Sequence, residues 1–322
     1  MEISESKVSY TFNDMKHEYD DLKDVWYSWL FSRLHYFIAS DIIKFWKDTH
    51  YEVLDIGCGT GFQSFLYALT GAQVYGIDIA DELINVANEK AESYLKNKFS
   101  LFPSPYPYVT KYNEIIENII TERFPKEIYK TPRFSVGSAT HLDFEDSSFT
   151  HINCCGSVLS FVEDYEKALT EIKRVLKPKG TFILEVDAKF SPDLLWTLFD
   201  SLIGGRMGFE SSFSEAIKAF APPFNEHIFV EYPFGDVSDP VYMSIRLFTK
   251  TKLKKDLLRQ GLTSLKWRTI HSITNLIPST FLDTSNPSKK LISIFSILSK
   301  IEEKMPLSLP GCSLVVFGEK EV

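Results

Sequence analysis

Apolar residues fall along this chain in two rhythms. Short continuous runs, Val53-Leu54-Asp55-Ile56, Gln73 to Asp78, His151 to Cys155 and Thr181 to Val186, read as strands buried on both faces. Between them apolar positions return every three or four residues, as at Leu83, Ala87, Ala91 and Leu95, or Tyr165, Ala168, Leu169, Ile172, Val175 and Leu176, which is the spacing of a helix with one packed face. Gly71 stops a helix expected over Phe62 to Leu69, and Lys177-Pro178-Lys179-Gly180 stops the one before the Thr181 strand. Strand and helix in alternation predict an α/β chain with a parallel sheet.

The same periodicity predicts a helix from Asn13 or Asp14 towards Lys47, carrying Trp26, Trp29, Leu34, Ile38 and Ile42, with Met1 to Phe12 weakly structured. Residues 97–132 form an insertion holding the loop Phe102 to Pro107 and a helix from Tyr112 to Phe124, placed at a substrate entrance or an oligomer contact. Arg133 to Leu142 reads as a third strand and its exit turn. After Val186 the expected elements are a helical stretch from Ser191 to Phe220 broken at Gly204-Gly205, a hairpin-like cap from Ile228 to Tyr232 and Val241 to Phe248, and a helix from Thr251 to Gln260. Leu265 to Ile270 and Ser313 to Gly318 are the last strands, antiparallel partners of each other. Between them a helix through Leu291, Phe295, Leu298 and Ile301 is expected to cover the core, with a partner or a membrane surface as the alternatives for its face.

The chain has 322 residues, 44% hydrophobic and 24% charged, enough for one elaborated domain. Its net charge of -8, without a basic run interleaved with aromatics, argues against nucleic acid as the main partner, because phosphate neutralisation dominates that affinity. Four cysteines show neither a metal-ligand spacing nor a secreted disulfide framework, and a reducing cytoplasm is the simplest compartment. No apolar run is long enough to span a membrane, and no metal is expected.

The chemistry centres on Tyr51 to Gly61, a strand that ends in Asp55 and the glycines 57, 59 and 61. A dinucleotide fingerprint needs its third glycine where Phe62 stands, and Asp55 would repel a pyrophosphate but suits a ligand bearing an ammonium and a sulfonium. Asp78 ends the next strand 23 positions on, near the ~20-residue spacing at which a carboxylate meets ribose hydroxyls.

The stretch Val53-Leu54-Asp55-Ile56-Gly57-Cys58-Gly59-Thr60-Gly61 resembles the first motif of the class I S-adenosylmethionine-dependent methyltransferases. The resemblance extends through the strand, helix and turn pattern to Val186, and near the end through Gly311 to Gly318, most closely to the small-molecule type that includes quinone-biosynthesis enzymes. It implies a Rossmann-like, seven-stranded, mostly parallel sheet with helices on both faces. Around one domain, residues 1–50 are an N-terminal helical segment, 51–188 the cofactor-binding core, 189–310 a substrate cap with insertions, and 311–322 the last strand. S-adenosylmethionine is the implied cofactor, with Asp55, Gly57, Cys58, Gly59, Gly61, Asp78, Ile79, Ser138, Ala139, Thr140, Cys155 and Gly156 around it. In such enzymes a segment ahead of the first strand folds over the cofactor, which makes Tyr10, Tyr19 and Tyr27 lid candidates.

Two positions depart from the family. Ser138 stands where an Asp is usual, and His151 replaces another common Asp. The tetrad of amino methyltransferases is missing after His151 to Cys155, and Cys154 and Cys155 lack the proline that precedes a cytosine-methylating nucleophile. The expected reaction is an in-line methyl transfer to a small, apolar or aromatic acceptor, with His227 and His271 as candidate bases. An RNA or protein methyltransferase and a non-catalytic cofactor-binding subunit are the alternatives.

Overall fold

The computed structural model describes residues 3–16, 25–46, 50–94, 106–124, 128–209, 213–218, 220, 224–234, 241–282, 287–305 and 309–321. Tyr19 and the proline-containing stretch 101–105 lie outside them. Seven strands form one sheet: β1 (Glu52–Ile56), β2 (Gln73–Asp78), β3 (Arg133–Val136), β4 (Phe149–Cys154), β5 (Leu176–Asp187), β8 (Leu262–Ile270) and β9 (Ser313–Lys320), in the order β3-β2-β1-β4-β5-β9-β8. β9 alone runs against its neighbours, pairing antiparallel with both β5 and β8. The order reverses at β1, so the ends of β1 and β4 flank the place where such sheets bind ligands.

Alternate residues along the inner strands feed two cores, as the two-residue repeat of a strand requires. Val53, Val74, Ile183, Val315 and Phe317 face one layer with α2 (Val25–Phe45), α3 (Phe62–Ala68) and α5 (Pro107–Thr121). Leu54, Ile56, Ile152, Leu184 and Val186 face the other, with α6 (Tyr165–Val175) and α9 (Lys250–Arg259). The expected elements of the cap are present as α7 (Pro192–Leu202), α8 (Phe213–Lys218) and the separate hairpin β6 (Ile228–Phe234) with β7 (Val241–Leu247). α4 (Asp81–Tyr94) follows β2, and α10 (Lys289–Lys304) precedes β9.

Three expectations change. The first residues are not weakly structured: α1 (Glu5–Asp14) is a helix whose Ser4 accepts from the Lys7 N–H. It owes its order to docking, because Ser9 donates to the Ile79 carbonyl at 2.9 Å and Val8 packs with Met243. Asn13 caps a helix, but a distant one: its Oδ1 accepts from the Glu82 N–H at the start of α4, and its Nδ2 donates to Asp81. The insertion helix α5 does structural work, burying Val109, Ile116 and Ile120 while Asn113 accepts from Ser32 of α2 at 2.7 Å. On α10, Phe295 enters the core and Leu291 and Leu298 pack beside it, whereas Ile301 faces out.

Candidate cofactor site

The glycine turn folds back over the end of β2. Gly57 and Cys58 donate their N–H groups to the Ile77 carbonyl at 2.8 and 3.0 Å, and the Gly61 N–H closes onto the Cys58 carbonyl at 2.9 Å. The turn needs a glycine at 57, where φ is +70° and a Cβ would stand 2.1 Å from Val158. Cys58 lends its backbone to the turn and buries its thiol, which burial holds protonated.

Asp55 and Asp78 sit in different surroundings. Asp55 is buried beneath the turn, where Asn153 donates to one oxygen at 2.6 Å and Ser64 to the other at 2.5 Å. Burial pushes its carboxyl up to about 6, against the lowering effect of those two hydrogen bonds. The network continues inward: Asn153 also donates to Gln63, Tyr67 donates to Asn153, and His151 lies between Tyr67 at 3.0 Å and Thr181 at 2.8 Å. With the Tyr67 proton on Asn153, His151 donates from Nε2 and accepts at Nδ1, and burial keeps it neutral by lowering its pKa to about 3. This polar layer holds β1, α3 and β4 together under the site.

Asp78 stands at the mouth. Its Oδ2 accepts from the Gly59 N–H and its Oδ1 from the Ala80 N–H, each at 2.9 Å, and burial raises its pKa. A carboxylate offers about four lone-pair sites, so beside these backbone N–H donors Asp78 keeps acceptor capacity for a ribose hydroxyl. Ile79 beside it packs with an apolar cluster of Val8, Phe12, Phe161, Phe234 and Met243. Gly137 donates to the Asp78 carbonyl at 2.9 Å, which brings Ser138, Ala139 and Thr140 alongside; Ala139 is buried, and Ser138 accepts from the Thr140 N–H.

The turn leaving β4 supplies the opposite wall. Cys155 is buried with its thiol pushed well up by desolvation, so it is no thiolate nucleophile. Gly156 takes φ +91° and its Cα faces open space, with no atom within 4 Å of where a Cβ would lie. Two carboxylates that the sequence reading missed hold this turn. Glu185 accepts from the Gly156 and Ser157 N–H groups at 3.0 and 2.5 Å. Asp187, partly exposed at the end of β5, is pushed up to about 7 by burial and then by the charge of Glu185. Acidic residues two apart in an otherwise apolar strand were the available signal, since they must share one face.

Both histidine candidates have their rings packed against aromatic side chains. His271 stacks on Trp26 at 3.5 Å, and its nitrogens face Thr274 at 2.9 Å and the Trp26 carbonyl at 3.1 Å. His227 accepts from the Thr249 N–H and is wedged against Phe248 and Tyr165, and burial lowers its pKa to about 3. Of the lid candidates, Tyr10 is exposed on α1 and Tyr27 packs against the core.

These residues fit S-adenosylmethionine on two counts: a raised carboxylate with spare acceptor capacity at the β2 end, and a glycine opening onto free space at the β4 end. Among the described residues no group of three or more His, Cys, Asp or Glu side chains is arranged to hold a metal ion, and no helix is long and apolar enough to cross a membrane.

Residues 47–100 and 111–184 each match a family model described as a methyltransferase domain. An uncharacterised methyltransferase of Bacillus subtilis, YcgJ, is 28% identical over 134 residues, 42% of this chain and 40% of that protein. The ubiquinone/menaquinone biosynthesis C-methyltransferase UbiE of Rickettsia akari is 25% identical over 176 residues, 55% of this chain and 58% of that protein. The chain thus spans about half the length of these relatives. A solved S-adenosylmethionine-dependent methyltransferase from Methanosarcina mazei shares the fold, with a TM-score of 0.50 at 18% identity over 87% of this chain and 97% of that one. Strand order, glycine turn and the two matched methyltransferase-domain models agree: this chain has the fold of, and resembles, the class I S-adenosylmethionine-dependent methyltransferases, their quinone-biosynthesis members among them.

Proposed function

We propose that the protein transfers a methyl group from S-adenosylmethionine to a small, apolar or aromatic acceptor. The observation that carries the acceptor class is the cluster over the site. Phe12 of α1, Phe161 after β4 and Phe234 of the hairpin meet edge to face or tilted, with centroids 5.4 to 6.2 Å apart, directly beside Ile79. Elements of the cofactor core and of the cap thus meet through apolar rings, a surface that favours an acceptor with apolar area to bury.

The cofactor would supply a methyl carbon activated by its sulfonium. In this reading Asp78 takes the ribose hydroxyls, Ile79 and Ala139 flank the base, and the Gly156-Ser157 turn, held by Glu185, leaves room for the amino-acid end. Asp55 acts from below, fixing the turn and adding negative potential. Where the acceptor carries a proton to be lost, Asp187, at the end of β5 beside the turn that Glu185 holds, would take it on its carboxylate, whose pKa burial raises towards neutrality.

The test is incubation with methyl-labelled S-adenosylmethionine and separated lipids, polar metabolites, RNA and protein. Label is expected in an apolar small-molecule fraction. Label confined to RNA or protein would overturn the acceptor class, and binding without label anywhere would overturn catalysis.

A further inference from the structure

We propose that Glu5, on the first turn of α1, is the group that selects adenine as the cofactor's base; the inference rests on the S-adenosylmethionine reading above. With the ribose at Asp78 and the base flanked by Ile79 and Ala139, as proposed above, the edge of the base meets the turn after β3. There the Gly137 N–H to Asp78 carbonyl bond fixes the turn that carries Ser138. Adenine presents an exocyclic amine, a donor that needs an acceptor.

Ser138 is poorly supplied for that task. Its single hydroxyl proton points to Glu5, 3.3 Å from both carboxylate oxygens, while the oxygen already accepts from the Thr140 N–H at 3.3 Å and lies 3.0 Å from the Thr140 hydroxyl. The carboxylate of Glu5 accepts only, at about four lone-pair sites, and the one Ser138 proton is shared between its two oxygens. It therefore keeps capacity for an amine where Ser138 does not.

The place of Glu5 is set independently of Ser138. α1 is pinned along the β2–α4 junction by Ser9 to the Ile79 carbonyl, by Asn13 to Asp81 and the Glu82 N–H, and by Lys16 to Glu82 at 2.8 Å. The helix thus delivers to the β3 end a negative charge that the β3 turn itself lacks. A base with an oxo group in place of the amine, hypoxanthine, would set a carbonyl against that carboxylate and be rejected.

Calorimetry with S-adenosylhomocysteine and S-inosylhomocysteine on the full chain separates the possibilities. Wild type is expected to prefer the adenine compound by roughly 10-fold or more, the scale of one hydrogen bond to a charged group. Glu5→Gln, whose amide can accept or donate, should bring the two affinities close together at an unchanged melting temperature. An unchanged preference in Glu5→Gln, or an equal loss for both ligands, would overturn the role of Glu5 alone. Failure of wild type to bind either ligand would overturn the cofactor reading and this inference with it.

Discussion

Asp55 and Asp78 carry the same group and differ in what they face. Asp78 meets the open side of the turn, so Asp78→Ala is expected to weaken S-adenosylhomocysteine binding by about 1–3 kcal/mol, the cost of removing one partner of a charged hydrogen bond. Asp55→Asn should act on stability instead. The new amide supplies one acceptor where Ser64 and Asn153 now use two, leaving a buried donor unsatisfied at about 1–3 kcal/mol, read as a lower urea midpoint with binding far less affected. If Asp55→Asn lost binding without losing stability, the division of labour would be reversed. Asp187 gives a pH-dependent prediction. Above about pH 4 the unfolded chain has released this proton, whereas the folded chain holds it until about 7. Folding therefore binds the extra proton in that window, and the contribution of Asp187 to stability falls as pH rises from about 4 to about 7. Asp187→Asn lacks this term, so its unfolding free energy should gain on wild type across the window and level off above it. A constant difference across pH would mean that Asp187 ionises normally. The motif made Asp55, Asp78 and the glycines legible in the sequence, but the burial of Asp55 was not, because it depends on Ser64 and Asn153 arriving from α3 and β4.

At the scale of elements, helix ends are tied by residues far away in sequence. Glu302 of α10 accepts from the N–H groups of His271, Ser272, Ile273 and Thr274 at 2.8 to 3.1 Å, and from the Thr274 hydroxyl. His271 sits at φ +58°, a left-handed conformation that this set of bonds holds in place. Glu302→Gln keeps the shape but replaces one acceptor oxygen by a donor that faces N–H groups. It is expected to cost about 1–3 kcal/mol in urea unfolding with an unchanged m-value; a midpoint within error of wild type would show that the turn is held by packing alone. His271 could be taken for a base from sequence because its ring titrates near neutrality in water. Its stack on Trp26, 245 positions away, is a tertiary fact.

At the scale of the molecule, the last strand is an inner one. β9 lies between β5 and β8 and buries Leu314, Val315, Val316 and Phe317 against both cores. Removing residues 311–322 would cut β8 off from the sheet, strip β5 of one of its two partners and open both layers, so the truncated chain is expected to show no cooperative melt. A sharp transition near that of the full chain would contradict the placement of β9. The hydrophobic rhythm by itself determined the strands and most of the helices, and the glycines at 57, 59 and 61 the turn and the resemblance it carries, because those signals lie within one element or one turn. Only the tertiary structure decided that α1 is a docked helix, that α5 packs into the core, that His271 stacks on Trp26, that Glu5 lies beside Ser138, and that Glu185 holds the Gly156-Ser157 turn. Each of these depends on groups brought together from distant parts of the chain, and no local period records such a meeting.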